Sequence, residues 1–168
     1  MTEITKENFM DQAYPVFRKF SRQLAVITAG TLDDFNSMTI GWGMLGNVWG
    51  HAPGITVYVS PSRYTWQFME KYDCFTVCFF DESRRDDVMT LGTISGRDGD
   101  KISHTSLTPV AVSGSVGFRE AELTLVCRKV YADQFDIDKV PPQAREMYKR
   151  VEPHYAYIGA IEDAFGLL

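Results

Sequence analysis

This chain has little of what covalent or metal-held frameworks need. Of its 168 residues three are cysteine (Cys74, Cys78, Cys127) and three are histidine, with no CxxC pair and no Cys/His cluster. That pattern argues against a disulfide scaffold or a structural zinc site, and the sparse thiols fit a reduced, cytoplasmic setting. On a single strand, Cys74 and Cys78 would stand about 13 Å apart at 3.3 Å per residue, beyond disulfide reach, so they read as core fillers. Long apolar runs are missing as well. No stretch of about 18 uninterrupted apolar residues occurs, and the opening MTEITKENFM mixes acids with bases, so neither a signal peptide nor a membrane span is expected. Positive charge is in deficit, with 17 Lys and Arg against 22 Asp and Glu for a net charge of −5, which makes nucleic acid a poor partner. Hydrolytic signatures are absent too: no GxSxG elbow surrounds a serine and no cysteine carries a nucleophile motif. The carboxylate pairs Asp33–Asp34, Asp86–Asp87 and Glu162–Asp163 are sequence neighbours, which face apart on helix and strand alike.

The remaining composition is that of an ordinary folded chain, 45% hydrophobic and 23% charged. At this length roughly two-thirds of the unfolded surface is buried on folding, enough for one domain over 1–168 with its core at about residues 23–161. Short β-rich runs separated by turn residues predict an antiparallel sheet or barrel. They are Leu24–Ala29, Ser37–Leu45, Gly54–Ser60, Cys74–Phe80, Glu122–Tyr131 and His154–Ile161. In Gly54–Ser60 the apolar residues Ile55, Val57 and Val59 alternate with Thr56, Tyr58 and Ser60, so one face is expected in the core. Cys74–Phe80 (CFTVCFF) is apolar nearly throughout, the mark of a central strand covered on both sides. Helices are expected over Arg63–Tyr72, Arg84–Leu91 and Pro142–Arg150, the last with proline in its first turn. Gly92–Lys101 and Leu107–Phe118, rich in turn formers, read as ordered loops.

Several motifs admit two readings. Gly41–Gly46 (GWGMLG) satisfies the letter of the dinucleotide fingerprint, but NVWGHAPG follows, and its glycines and proline are hostile to the helix that fingerprint requires. The alternative is glycine that lets a strand bend or another group approach closely. Pro61–Thr65 (PSRYT) joins an alternating strand to a helix, where unpaired N–H groups and the positive dipole end collect. With Ser62, Arg63 and Thr65 this suits the terminal phosphate of a mononucleotide; the plain alternative is a serine N-cap beside a solvated arginine. Arg97 and Lys101 in Ser95–Lys101 (SGRDGDK) either present cations to a phosphate or decorate turns, and Asp98 with Asp100 lacks the closing glutamate of a calcium loop. Among the histidines, His154 beside Tyr155 is the one placed to edge a pocket.

Taken in order and at these intervals, Asn36–Gly43 (NSMTIGWG), Thr56–Phe68 (TVYVSPSRYTWQF), Phe75–Phe80 and Gly92–Lys101 (GTISGRDGDK) resemble the flavin reductase-like proteins, the flavoredoxin type most closely. The resemblance runs from about Gln23 to Ile161. It implies a mainly β fold, an FMN-binding split β-barrel (antiparallel, Greek-key-like) with a few peripheral helices, forming a homodimer with FMN held non-covalently near the subunit interface. It implies that Met38, Thr39 and Ile40 lie along the flavin and Trp42 near its rings, with Ser62, Arg63 and Thr65 at the phosphate and ribityl end. Lys101 would be a further contact, supported by Ser95 and Gly96, while Tyr64, Trp42 and Trp49 could shield the ring. The sequence departs from the family pattern at Ser60, where a basic residue is expected, and at Gly50–Ala52. The implied activity is NAD(P)H-dependent flavin reduction, with electrons passed through FMN to free flavin, ferric iron, oxygen or a protein partner; the flavin carries the chemistry, so no side-chain nucleophile is needed. Two alternatives stand beside it: a flavoredoxin-like FMN carrier without its own NAD(P)H site, and a non-catalytic small barrel that stacks bases on aromatic strands, against which the acidic balance argues.

Overall fold

The computed structural model describes residues 2–167. Along them run β1 (Glu3–Ile4), α1 (Val16–Arg18), β2 (Ala25–Thr31), β3 (Asp34–Ile40), β4 (Gly43–Val48), β5 (Ala52–Val59), α2 (Tyr64–Lys71), β6 (Cys74–Phe79) and α3 (Arg85–Thr93). There follow β7 (Pro109–Val112), β8 (Ser115–Phe118), β9 (Leu123–Gln134), α4 (Pro142–Tyr148) and β10 (Tyr155–Leu167). The main sheet is antiparallel with the order β3-β2-β6-β9-β10-β5-β4, and β1 adds to β10.

That order forces the sheet to roll up. β3 and β4 stand at its two ends, six strand spacings apart, which is nearly 30 Å at about 4.8 Å each in a flat sheet. Only Gly41 and Trp42 separate them in the chain, and three Cα steps of about 3.8 Å reach roughly 11 Å. The ends therefore curl together into an antiparallel barrel. Its wall is left unpaired between β3 and the β4–β5 hairpin, a seam that the site below occupies. The connection from β5 through α2 to β6 passes over two places later filled by β9 and β10, the Greek-key feature.

Alternation along the strands fills the interior. Ala25, Ile27 and Ala29 of β2, Ile55, Val57 and Val59 of β5, Phe75, Val77 and Phe79 of β6, and Leu123, Leu125 and Cys127 of β9 share one buried cluster. The opposite faces of β2 and β6 are covered too: Val26 and Cys78 pack with Phe80 under Val88, Leu91, Leu107 and Phe118. This second layer explains why Cys74–Phe80 reads as apolar on both sides. Cys78 and Cys127 are buried, and burial raises both thiols. Among the described residues no helix is long and apolar enough to cross a membrane.

Two expectations are corrected. Ser37–Leu45 is not one strand but the end of β3 and the start of β4, with the corner at Gly41–Trp42. Its apolar continuity hides the bend; the physical signal is glycine, since a Cβ at Gly43 would fall 2.3 Å from the Phe20 ring. Close packing, not dinucleotide binding, accounts for that glycine. Leu107–Phe118 is not a loop throughout but contains the β7–β8 hairpin, with Val112 paired to Ser115 and Gly114 turning at φ +82. It lies against the outer face of the barrel, where the Thr76 hydroxyl donates to the Val116 carbonyl at 2.5 Å and the Ser115 hydroxyl to that of Thr28 at 3.3 Å.

Candidate functional site

The seam opens into a cleft made of two adjoining cavities, of about 190 and about 150 Å³, that share Met38, Thr39 and Arg63 on their walls. Ser62, Tyr64, Thr65, Ser95, Gly96 and Lys101 line the first, and Ile40 and Trp42 the second. Segments far apart in sequence thus meet on the walls of the cleft: the end of β3, the β5–α2 corner and the loop after α3. Asn36, Arg97, Tyr58, Ser60 and His154 also face the cleft. Of these, Asn36 heads the NSMTIGWG motif and Arg97 stands in SGRDGDK, so the motifs already contained them. Tyr58 and Ser60 lie on the polar side of the β5 alternation, which is the side turned away from the core.

Charge and capping define the larger cavity. Arg63, Arg97 and Lys101 lie on its wall, and no Asp or Glu does. Arg63 is the N-cap residue of α2, and no side chain caps that helix. The Ser62 hydroxyl instead pairs with that of Ser60 at 2.9 Å, so the serine N-cap is corrected. The Thr65 hydroxyl accepts from Asn36 Nδ2 at 2.7 Å, and the leading N–H groups of α2 have no side-chain acceptor. Arg97 stacks its guanidinium 5.1 Å over the Tyr64 ring and donates from Nη1 to the Ser62 carbonyl at 3.2 Å. Arg63 makes no hydrogen bond or ion pair with another side chain among the described residues.

Gly96 shows how tightly the loop after α3 fits. A Cβ there would sit 2.2 Å from Asn36 Oδ1 and 3.1 Å from Tyr64 Cδ1. Lys101 is the residue whose placement differs most from expectation. Its Nζ is turned onto the carbonyls of Leu91 and Ile94, at 3.0 and 3.3 Å, rather than standing free in the cavity. Burial, and then the neighbouring Arg63 charge, push its pKa down to about 8.

At the other end Trp42 and His154 face each other with ring centroids 4.9 Å apart, and Tyr148 stands 5.8 Å from the same imidazole. His154 Nδ1 is buried without a hydrogen-bond partner. Burial, then the Arg63 charge, hold its pKa below the ordinary value of 6.5. The unfolded chain therefore takes up this proton before the folded one, and stability should fall as pH drops below 6.5. In a His154→Gln variant the loss between pH 7.5 and pH 5, read from urea midpoints, is expected to be smaller; an identical loss would contradict this placement. Beyond Trp42 lies a larger apolar cavity of about 630 Å³, also walled by Tyr131, Phe135, Pro141, Met147 and Tyr148. Trp49 is corrected: it sits 69% exposed on the β4–β5 turn with Gly50 and His51 and lines neither part of the cleft, so Gly50–Ala52 forms no wall of it. Asp98 and Asp100 belong to turns, Asp100 accepting from the Ile102 N–H, and no group of three or more His, Cys, Asp or Glu able to hold a metal occurs among the described residues.

The family model described as "Flavin reductase like domain" matches residues 17–164. The chain belongs to the flavin reductase-like family. Solved structures agree on the fold of this flavin reductase-like protein. A flavoredoxin from Methanosarcina acetivorans is 22% identical with a TM-score of 0.67, over 86% of this chain and 68% of that one. An FMN-binding protein from Thermus thermophilus with bound 1-cyclohex-2-enone is 18% identical with a TM-score of 0.69, over 92% and 76%. A putative flavin reductase with a split barrel domain from Shewanella frigidimarina is 14% identical with a TM-score of 0.67, over 95% and 78%. No curated protein matches the sequence. The fold is the antiparallel split barrel.

Proposed function

We propose that this protein binds FMN in the seam cleft and works as an FMN-dependent oxidoreductase that draws electrons from NAD(P)H. The observation that carries the reading is the uncapped start of α2 beside Arg63, in a cavity whose wall has cations and no carboxylate. Such a place is built for a compact anion, and the family fold makes a flavin phosphate the fitting one. The adjoining cavity suits a flat ring system, with the end of β3 from Met38 to Ile40 and the Gly41 corner along one side and Trp42 beside it. The contact at Gly96, where a Cβ would strike Asn36 of β3 and crowd Tyr64 of α2, fits a ligand that needs the loop close to both elements.

Each part of the chain then has a task. Arg63, Ser62 and the leading N–H groups of α2 hold the phosphate, and Ser95 and Gly96 close over it. Met38, Thr39 and Ile40 run beside the ring system, and Trp42 with His154 shields its far end from water. The imidazole supplies a polar group there whose Nδ1 has no partner of its own. Bound there, FMN would supply the hydride and electron transfer between reduced nicotinamide and an acceptor such as free flavin or ferric iron. The apolar cavity beyond Trp42 offers room for the exchanging partner.

The reading extends to a homodimer. The β4 strand ends the sheet order with one edge unpaired, and Trp42, Met44 and Trp49 on and beside it are 46%, 61% and 69% exposed. A second copy would cover them; a monomer by sedimentation at micromolar concentration would contradict this. The activity is tested by mixing FMN-loaded protein with NADH or NADPH without oxygen. Rapid bleaching of the yellow colour with at least one donor is expected. Colour that persists with both would overturn the reductase reading and assign the site to electron carriage alone.

A further inference from the structure

We propose that Lys101 is a positioning residue, a tether that fastens the end of the loop after α3 back onto that helix's last carbonyls and so fixes one wall of the cleft. The proposal rests on the FMN reading only for its consequence in binding; the tether itself concerns the protein alone.

The chain leaves α3 at Thr93 and must form the wall at Ser95–Arg97 without regular structure until the short 3₁₀ turn Ile102–His104. What holds it is a small set of polar contacts. The Arg97 N–H donates to Ser95 Oγ at 3.2 Å and the Asp98 N–H to the Ser95 carbonyl at 3.1 Å, which close the turn locally. Two cations then anchor the turn to its surroundings. Arg97 reaches across the cleft mouth to the Ser62 carbonyl and the Tyr64 ring. Lys101 reaches back to Leu91 O and Ile94 O. Carbonyls in the last turn of a helix lack partners within the helix and sit at its negative end, where a cation is favoured. Lys101 is 5% exposed, so moving its ammonium to a ligand would leave those carbonyls unpaired in a buried place. Arg97 and Lys101 thus spend donors on the backbone, and Arg63 remains to make the charge contact with the phosphate.

A direct phosphate contact and a tether predict different results. In the Lys101→Met variant, which keeps the length of the chain and removes the donors, amide hydrogen exchange at residues 92–97 of the FMN-free protein is expected to quicken at least about tenfold. Lys101→Arg, which can donate to both carbonyls, should restore protection. FMN affinity should fall and recover in parallel. If Lys101 instead touches the phosphate, exchange in the FMN-free Met variant stays at the wild-type rate while FMN affinity alone falls, and the proposal is overturned. Should the Met variant not fold, the wild-type protein still decides. A buried, carbonyl-bound ammonium gives a ¹H–¹⁵N lysine signal protected from water exchange before any FMN is added, and its absence refutes the tether. A wild-type protein that fails to bind FMN would refute the cofactor reading instead, without altering either FMN-free measurement.

Discussion

Replacing Arg63 by alanine should weaken FMN binding about 30-fold, the effect of losing roughly 2 kcal/mol of charge-assisted hydrogen bonding, while riboflavin, which lacks the phosphate, binds nearly as before. The residue is solvent-exposed and caps α2 without a side-chain bond, so little native structure depends on it. Thermal stability should stay within about 0.5 kcal/mol of the wild type, the ordinary range for a surface substitution. Quenching of flavin fluorescence, titrated with FMN and with riboflavin on both proteins, gives the four affinities needed. Equal losses for the two ligands would mean that Arg63 meets the ring or shapes the cleft. No loss for either would remove it from the site.

Gly96→Ala is expected to act on folding and binding together. The new methyl would sit 2.2 Å from Asn36 Oδ1, and the buried Asn36 amide cannot swing away freely because its Nδ2 donates to Thr65 Oγ1 at 2.7 Å. Breaking that bond leaves a buried donor unpaired, at a cost of about 1–3 kcal/mol. If the loop moves instead, Arg97 is drawn off the Tyr64 ring and the wall of the cavity opens. Either response lowers FMN affinity by at least about tenfold, and the first also lowers the melting temperature by several degrees. Wild-type melting and wild-type FMN affinity in this variant would show that the loop does not press on Asn36 as described.

These two positions mark what the sequence makes legible and what it hides. The β5 alternation from Ile55 to Val59 and the apolar run of β6 are set by burial on one face or two, a signal local enough to read from the chain. The meeting of Met38–Trp42, Ser62–Thr65 and Ser95–Lys101 in one cleft was legible only through the family resemblance those motifs carry, because no local pattern says which side of a barrel a loop returns to. The corner at Gly41–Trp42 escaped because its apolar neighbours read as one strand, although Phe20, some twenty residues earlier, leaves room only for glycine at Gly43 just beyond it. The β7–β8 hairpin was masked by Pro109, Gly114 and Gly117, while the two-residue turn Ser113–Gly114 between VAV and SVGF carried the missed signal. The direction of Lys101 could not be read at all, since it depends on where α3 places its final carbonyls. Trp49 looked like a ring shield because it follows the glycines of GWGMLG in the chain, yet the three-residue β4–β5 turn holds it outside.

The division of labour in the cleft also accounts for Ser60, where a basic residue is expected in relatives. Its hydroxyl is buried and bonded to that of Ser62, so it shapes the corner that leads into α2 while Arg63 carries the charge.

The most direct test of the whole account is a calorimetric titration of flavin-stripped protein with FMN at neutral pH. One FMN per chain, bound at micromolar concentration or tighter and at least about tenfold better than riboflavin, is the predicted outcome. Absence of FMN binding, or binding that ignores the phosphate, would contradict the assignment of the α2 corner as an anion site and the function built on it.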